Sequence, residues 1–148
     1  MNKRTKTSAA FLLGVASALG AQMASSADLT VEIADIRNHQ GSLQVGVFDN
    51  EKAYKSADAK DAFASLSLSI TGKQAAFTLH GMPAGTYAVS LFHDENENYD
   101  LELEGGIPVE GYAVSNASDR YDDPSFEKAS IDLGDKSQVV AVKMYYLD

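Results

Sequence analysis

From residue 29 onward, apolar and polar residues alternate with a period of two in one segment after another, the mark of half-buried β-strands. "LTVEI" puts Leu29, Val31 and Ile33 on one face, and "SLQVGVF" does the same with Leu43, Val45 and Val47. The intervening "RNHQG" (37–41) is polar and ends in glycine, the composition of a hairpin loop. "SLSLSI" turns Leu66, Leu68 and Ile70 inward and its serines outward, "TGK" turns the chain, and "QAAFTL" aligns Ala75, Phe77 and Leu79. After a turn at Pro83 and Gly85, "TYAVSLFHD" alternates again through Tyr87, Val89 and Leu91. "KASIDL" predicts a short strand. "SQVVAVKMYY", more continuously apolar, predicts a central one. About seven strands make the expected fold all-β, a single seven-stranded antiparallel β-sandwich of immunoglobulin-like or transthyretin-like form.

Two stretches break the alternation. Residues 50–64 are alanine-rich and charged, and predict a short surface helix or turn crossing between the sheets. Residues 94–127 are long for a connection without regular structure, and loops above about 12 to 15 residues are usually functional or mobile.

The first 27 residues change the picture of where the domain works. Lys3, Arg4 and Lys6 precede an apolar, small-residue run (9–21), and "SSA" sets small residues before a cut ahead of Asp28. That is the pattern of a cleaved secretory signal, too short in its apolar part to span a bilayer of roughly 20 residues. The expected domains are a signal peptide (1–27) and a β-sandwich (28–148), working in the periplasm or the medium. The whole chain has 12 Lys+Arg against 21 Asp+Glu, and cleavage would remove three of the bases and none of the acids. Nine bases against 21 acids leave a net charge of −12, which disfavours nucleic acid and anionic membranes as partners. With no cysteine, the exported domain has no disulfide to stabilise it.

Candidate chemistry gathers in "HDENENYD" (93–100), directly after a predicted strand. Oxygen-bearing side chains recur there at every second residue: Asp94, Asn96, Asn98, Asp100 and Glu102, with Glu104 in reserve. Calcium takes six to eight oxygens at about 2.3 to 2.6 Å, and the D-x-N-x-N spacing overlaps the start of a calcium loop. Tyr99 stands where such a loop has its glycine, and Gly105 where it has a bidentate glutamate; Asp119, Asp122 or Asp123 would then reach back. The competing expectation is a solvated acidic hairpin that blunts a sheet edge. His93 reads as a half-buried histidine capping the sandwich, against a ligand for a softer metal such as zinc or an acid–base partner of Asp94.

Other chemistry is thinly represented. There is no G-x-S-x-G, no H-E-x-x-H, no glycine-rich phosphate loop and no cysteine nucleophile. Ser115 lacks an evident base and is expected to bond the loop backbone. Glu104 and Glu110 make a formal glycosidase pair, of a kind any acidic chain supplies. Tyr87, Tyr112, Tyr121, Tyr145 and Tyr146 read as strand, core or cross-strand residues before a ligand face.

"GTYAVSLFHDENEN", "GIPVEGYAVSN" and "PSFEKASIDL" together resemble a family of uncharacterised exported bacterial proteins, a domain of unknown function, from about Leu29 to Tyr146. The resemblance is most specific from Gly85 to Asn116. It implies that the 94–102 loop matters, although members commonly show a glycine and then an aspartate where this chain has Tyr99 and Glu102. "MPAGTYAV" is similar to transthyretin-like and carboxypeptidase-regulatory-like sandwiches, which present binding surfaces at their loops. One enzyme of that superfold, hydroxyisourate hydrolase, ends in Tyr-Arg-Gly-Ser; this chain ends "MYYLD", which removes that catalytic precedent. The expected function is therefore a non-catalytic binding or structural module whose calcium-held loop meets a protein or glycan. Two rival expectations are a metal-assisted hydrolase using His93 and Asp94, and a ligand-free structural protein.

Overall fold

The computed structural model describes residues 25–147, so all of the expected leader except its last three residues lies outside the described residues. Strand β1 (Ser26–Ala34) lies between the two strands it pairs with, β4 (Ala75–Pro83) and β10 (Gln138–Lys143). It opens with Ser26 and Ala27, where Ala27 is buried and pairs with Met82. A second sheet runs β3 (Ala64–Ser69), β2 (Ser42–Phe48), β5 (Gly85–Asp94), β8 (Tyr112–Val114), and β9 (Ile131–Leu133) pairs with the start of β5. A separate two-stranded hairpin joins β6 (Leu103–Glu104) and β7 (Ile107–Pro108). Strand is thus the dominant regular structure among the described residues, and the helices are short: α1 (Glu51–Ser56) and α2 (Phe126–Ala129).

One hydrophobic cluster draws on both larger sheets. Leu29, Val31 and Ile33 of β1 join Leu43, Val45 and Val47 of β2 and Val89 and Leu91 of β5. These are the residues that period-two alternation turns to one face. The opposite face of the five-stranded sheet carries Gln44 and Gly46 of β2, the exposed Ser65 and Ser67 of β3, and Ser90 and Phe92 of β5.

Connectivity departs from the sequence expectation at several points. The 37–41 segment is not a hairpin loop, because β1 and β2 pair in different sheets; it is a crossover. The turns after β3 and after β4 are crossovers too. Conversely α1 does not cross between sheets, since β2 and β3 on either side of it pair directly. Alternation reports which face is buried but not which neighbour a strand takes, so these assignments had no local signal. The pairing of β1 with β10 is parallel, against the all-antiparallel expectation. Parallel neighbours need a long connection, and here the rest of the domain supplies it. Nor is β10 central: it edges its sheet and leaves Val139 65% exposed. The described residues hold ten strands in place of about seven, because residues 94–127 carry β6, β7, β8 and the start of α2 instead of running without structure.

The short helices follow local chemistry. Asn50 caps α1 by accepting from the Ala53 N–H at 2.9 Å, and Ala57 closes it in the left-handed region (φ 51°). The Tyr54 hydroxyl donates to the Pro124 carbonyl at 2.8 Å and its ring meets Phe126, so α1 steadies the chain leading into α2. Burial, then the charges of Asp123 and Asp122, push the Tyr54 phenol up to about 12.

Candidate functional site

The acidic loop leaves β5 over a buried polar hub. His93 is fully buried, deeper than the half-buried cap expected, because near the end of the β2–β5 ladder, opposite Leu43, it turns inward under Gln40 and Tyr146. Its Nε2 lies 2.7 Å from the Gln40 carbonyl and so carries the hydrogen, while Nδ1 meets the Tyr146 hydroxyl at 2.9 Å. Both ring nitrogens are engaged within the protein. Glu95 holds the Arg37 guanidinium in a two-point pair (Nε to Oε1 2.7 Å, Nη2 to Oε2 2.8 Å) and accepts from the Asn38 amide at 2.8 Å. The Arg37 pair, with Asn38 helping, holds the Glu95 carboxyl below its ordinary range despite the opposing effect of burial. Arg37 also stacks over the Tyr146 ring, 4.5 Å from its centroid.

Two glycines make room for this hub. Gly41 has φ +64°, and a Cβ there would stand 1.8 Å from the Asp94 carbonyl oxygen. A Cβ on Gly111 would stand 2.1 Å from the Tyr146 ring. The crossover therefore meets the end of β5 at backbone contact distance, and the Tyr146 ring packs directly on the backbone at Gly111.

Above the hub, Asp94 is fully buried and points into its own loop. Its Oδ1 accepts the Asn98 N–H and its Oδ2 the Tyr99 N–H, both at 3.0 Å. Asn96 and Asn98 repeat the device, accepting the N–H groups two residues ahead at 3.1 and 2.9 Å. These side-chain turns hold Glu97 (φ 60°) and Tyr99 (φ 63°) in the left-handed region without glycine. Asp100 and Glu104 are exposed, Glu104 on β6.

The hairpin brings together two carboxylates that the every-second-residue pattern did not pair. Glu102 precedes β6 and Glu110 follows β7; Leu103 pairs with Pro108, and the Val109 N–H donates to the Glu102 carbonyl at 3.1 Å. Both asparagine amides of the loop turn their N–H groups to Glu102 Oε1, that of Asn98 at 2.5 Å. Glu110 is 4% exposed. Its Oε1 accepts the Glu95 N–H at 2.9 Å, whereas its buried Oε2 has no hydrogen-bond partner. Burial pushes the Glu110 carboxyl up; the Glu95 N–H opposes this, and the nearby charges of Glu102 and Asp94 add to it, as does the hydrogen bond that a protonated Glu110 makes with the Glu102 carboxylate. Of the sequence-predicted ligands, Asn96, Asn98 and Glu102 come together, Asp94 is engaged by backbone, and Asp100 and Glu104 stand apart in exposed positions. Among the described residues, no three His, Asp or Glu side chains are grouped as metal ligands.

The loop and hairpin also form one wall of a groove on the outer face of the five-stranded sheet, about 1060 Å³ in volume. Its floor includes Gln44, Ser65, Ser67 and Phe92, and its rim includes Tyr99 and Tyr121, which are 74% and 83% exposed. Asp122 and Asp123 line the far side. Asp122 does not reach back to the loop: it binds Lys128 Nζ at 2.7 Å and the N–H and hydroxyl of Ser118 at 2.8 Å. The Lys128 pair, followed by the Ser118 bonds, lowers its carboxyl to about 2. Ser115, fully buried, does bond backbone: its hydroxyl donates to the Ala129 carbonyl at 2.6 Å and accepts the Val89 N–H at 3.0 Å.

Over residues 31–141, the chain matches the family described as "Uncharacterized protein conserved in bacteria (DUF2141)". No curated protein and no solved structure matches it.

Proposed function

The chain belongs to DUF2141, a family of uncharacterized proteins conserved in bacteria, and we propose that it is an exported, non-catalytic binding module. In this reading residues 1–27 are removed on the way to the periplasm or the medium, and the domain is a two-layer sandwich of the transthyretin-like kind. Its ligand face is the groove on the outer side of the five-stranded sheet, and the acidic loop, held by calcium, is the groove's wall. The ligand is a glycan.

One observation carries the reading: the groove combines a hydroxyl and amide floor with strongly exposed aromatic rings at its rim. Ser65, Ser67 and Gln44 offer hydrogen bonds to sugar hydroxyls, while Tyr99 and Tyr121 offer flat apolar faces with a polar tip. Acids at the rim, Asp100 and Asp123 among them, disfavour anionic sugars and suit neutral or amino sugars. The absence of a catalytic role is supported by His93 and Asp94, whose polar atoms face the protein's own backbone and Tyr146. Among the described residues no helix is long and apolar enough to cross a membrane.

The test is titration of the labelled protein with neutral and amino-sugar oligosaccharides, followed by NMR. Shifts should cluster at Gln44, Ser67, Phe92 and Tyr99, and the double variant Tyr99→Ala/Tyr121→Ala should weaken binding at least about tenfold without lowering Tm. A double variant that binds as well as the parent, or a panel that binds nowhere in the groove, overturns the glycan assignment. Binding of a protein at the same residues would replace it.

A further inference from the structure

We propose that Glu102 and Glu110, flanked by the amides of Asn96 and Asn98, form a divalent-cation site at the base of the β6–β7 hairpin, with calcium as its ion. This deepens the calcium-held wall proposed above and moves its anionic ligands. Asp94 leaves the ligand set and Glu110, at first noted only as half of a formal glycosidase pair, enters it.

Glu110 Oε2 is buried and without a hydrogen-bond partner. Burying a carboxyl oxygen without a hydrogen-bond partner is costly. Beside it stands Glu102, a second carboxylate, held close by the hairpin pairing. Residues 94–110 contain seven acids and no base, and the cation that does arrive, Arg37, is committed to Glu95 on the other side of the strand. Asp94 answers its own charge with two backbone N–H groups. Glu102 has the two asparagine amides on Oε1 and Glu110 the Glu95 N–H on Oε1, but Glu110 Oε2 has no donor; a cation between the two carboxylates supplies its partner.

The donor chemistry selects the ion. Carboxylate and amide oxygens are hard ligands, suited to calcium, whose coordination of six to eight oxygens tolerates irregular geometry and water. The two asparagines direct amide N–H groups at Glu102 and keep their oxygens in the loop's own turns, so the two carboxylates and water supply the ion's oxygens. His93, the nearby nitrogen donor, has both ring atoms engaged, which disfavours zinc. Binding would tie Glu102, at the start of the hairpin, to Glu110, at its end, and so fix the groove wall that carries Tyr99 and Leu103.

The experiment is thermal melting of the exported protein in chelator, in calcium and in magnesium, with calcium binding followed by calorimetry. At about 100 times the dissociation constant, calcium should raise Tm by on the order of 5–10 °C. Glu110→Gln and Glu102→Gln should each remove most of that rise, while Glu97→Gln and Glu104→Gln keep it. Glu110→Gln should also melt no lower than the parent in chelator, since an amide donates to Glu102 instead of repelling it. If that variant fails to fold, Glu102→Gln, a less buried change, carries the test. A parent protein with no calcium response overturns the site, as does a Glu110→Gln protein with the full response. Sugar titrations in chelator judge the groove separately: sugar binding without a calcium response sinks the ion site alone, and the reverse sinks the glycan reading alone.

Discussion

Asp94→Ala separates two accounts of why the acidic loop exists. In the structure its carboxylate takes the Asn98 and Tyr99 N–H groups at 3.0 Å each, plus a long contact from the Gln44 amide at 3.4 Å. A hydrogen bond to a charged group contributes about 1.5–3 kcal/mol, so the two short bonds together are worth roughly 3–6 kcal/mol. Two effects reduce that figure. Asn98 and Tyr99 are exposed, so their freed N–H groups find water. Glu97 and Tyr99 would also escape left-handed backbone costing about 1–2 kcal/mol per residue. A net loss of about 1–2 kcal/mol remains, a sizeable share of a stability that in domains this size is typically about 5–15 kcal/mol. Urea unfolding at neutral pH in chelator measures it as a lower midpoint with little change in slope. Asp94→Asn should fall between, since its amide oxygen still accepts one N–H. A loss below about 0.5 kcal/mol in chelator, with destabilisation appearing only once calcium is added, would refute the backbone role and return Asp94 to the ion.

Three further outcomes follow from the same geometry. Gly41→Ala should cost about 3 kcal/mol or more by denaturant unfolding, because its Cβ would overlap the Asp94 carbonyl at 1.8 Å and its φ of +64° is strained for alanine; a neutral substitution would mean that the crossover does not pack there. Ser115→Ala should cost about 2–4 kcal/mol, since it strips partners from the Val89 N–H and the Ala129 carbonyl inside the protein, and a melt within a degree or two of the parent would contradict it. Asp122 is depressed from 3.8 to about 2, so its contribution is fully present above the unfolded value and fades as pH falls through the folded one. Asp122→Asn should therefore flatten the decline of Tm between about pH 4 and pH 2; an unchanged acid limb would show that the Lys128 pair contributes nothing to stability.

Much of the strand content was legible. Each of the seven alternating segments corresponds to a strand, and the inward residues of "LTVEI" and "SLQVGVF" are core residues. What alternation conceals is pairing. A strand with one buried face reads the same whether its neighbour is next in sequence or over a hundred residues away, as β10 is from β1. The short strands β6, β7 and β8 escaped because two or three residues cannot display a period. "EGGIPVE" did hold a signal: paired glycines between short apolar runs indicate a tight turn, and such a turn sets Glu102 near Glu110. The hub beneath the loop had no sequence signature, since Arg37, His93 and Tyr146 belong to three distant segments.

The crowding of like charge in "HDENENYD" resolves differently for each acid, and the differences follow from strand geometry. Successive residues at the end of β5 point to opposite sides. Glu95 is thereby turned to Arg37 and Asn38, and Asp94 to the loop, where amide hydrogens at left-handed turns converge on it. Two of the acids are thus neutralised by the fold itself, one by a guanidinium and one by backbone dipoles. Glu97, Asp100 and Glu104 are exposed and keep water as their partner. Glu110 is buried, and its second oxygen has no donor among the described residues. Net charge alone would distribute the repulsion evenly along the loop, but burial concentrates it at that one atom. A cation bound anywhere else in the cluster would leave that cost in place, whereas the oxygens of the D-x-N-x-N spacing at Asp94, Asn96 and Asn98 already accept backbone N–H groups of their own loop.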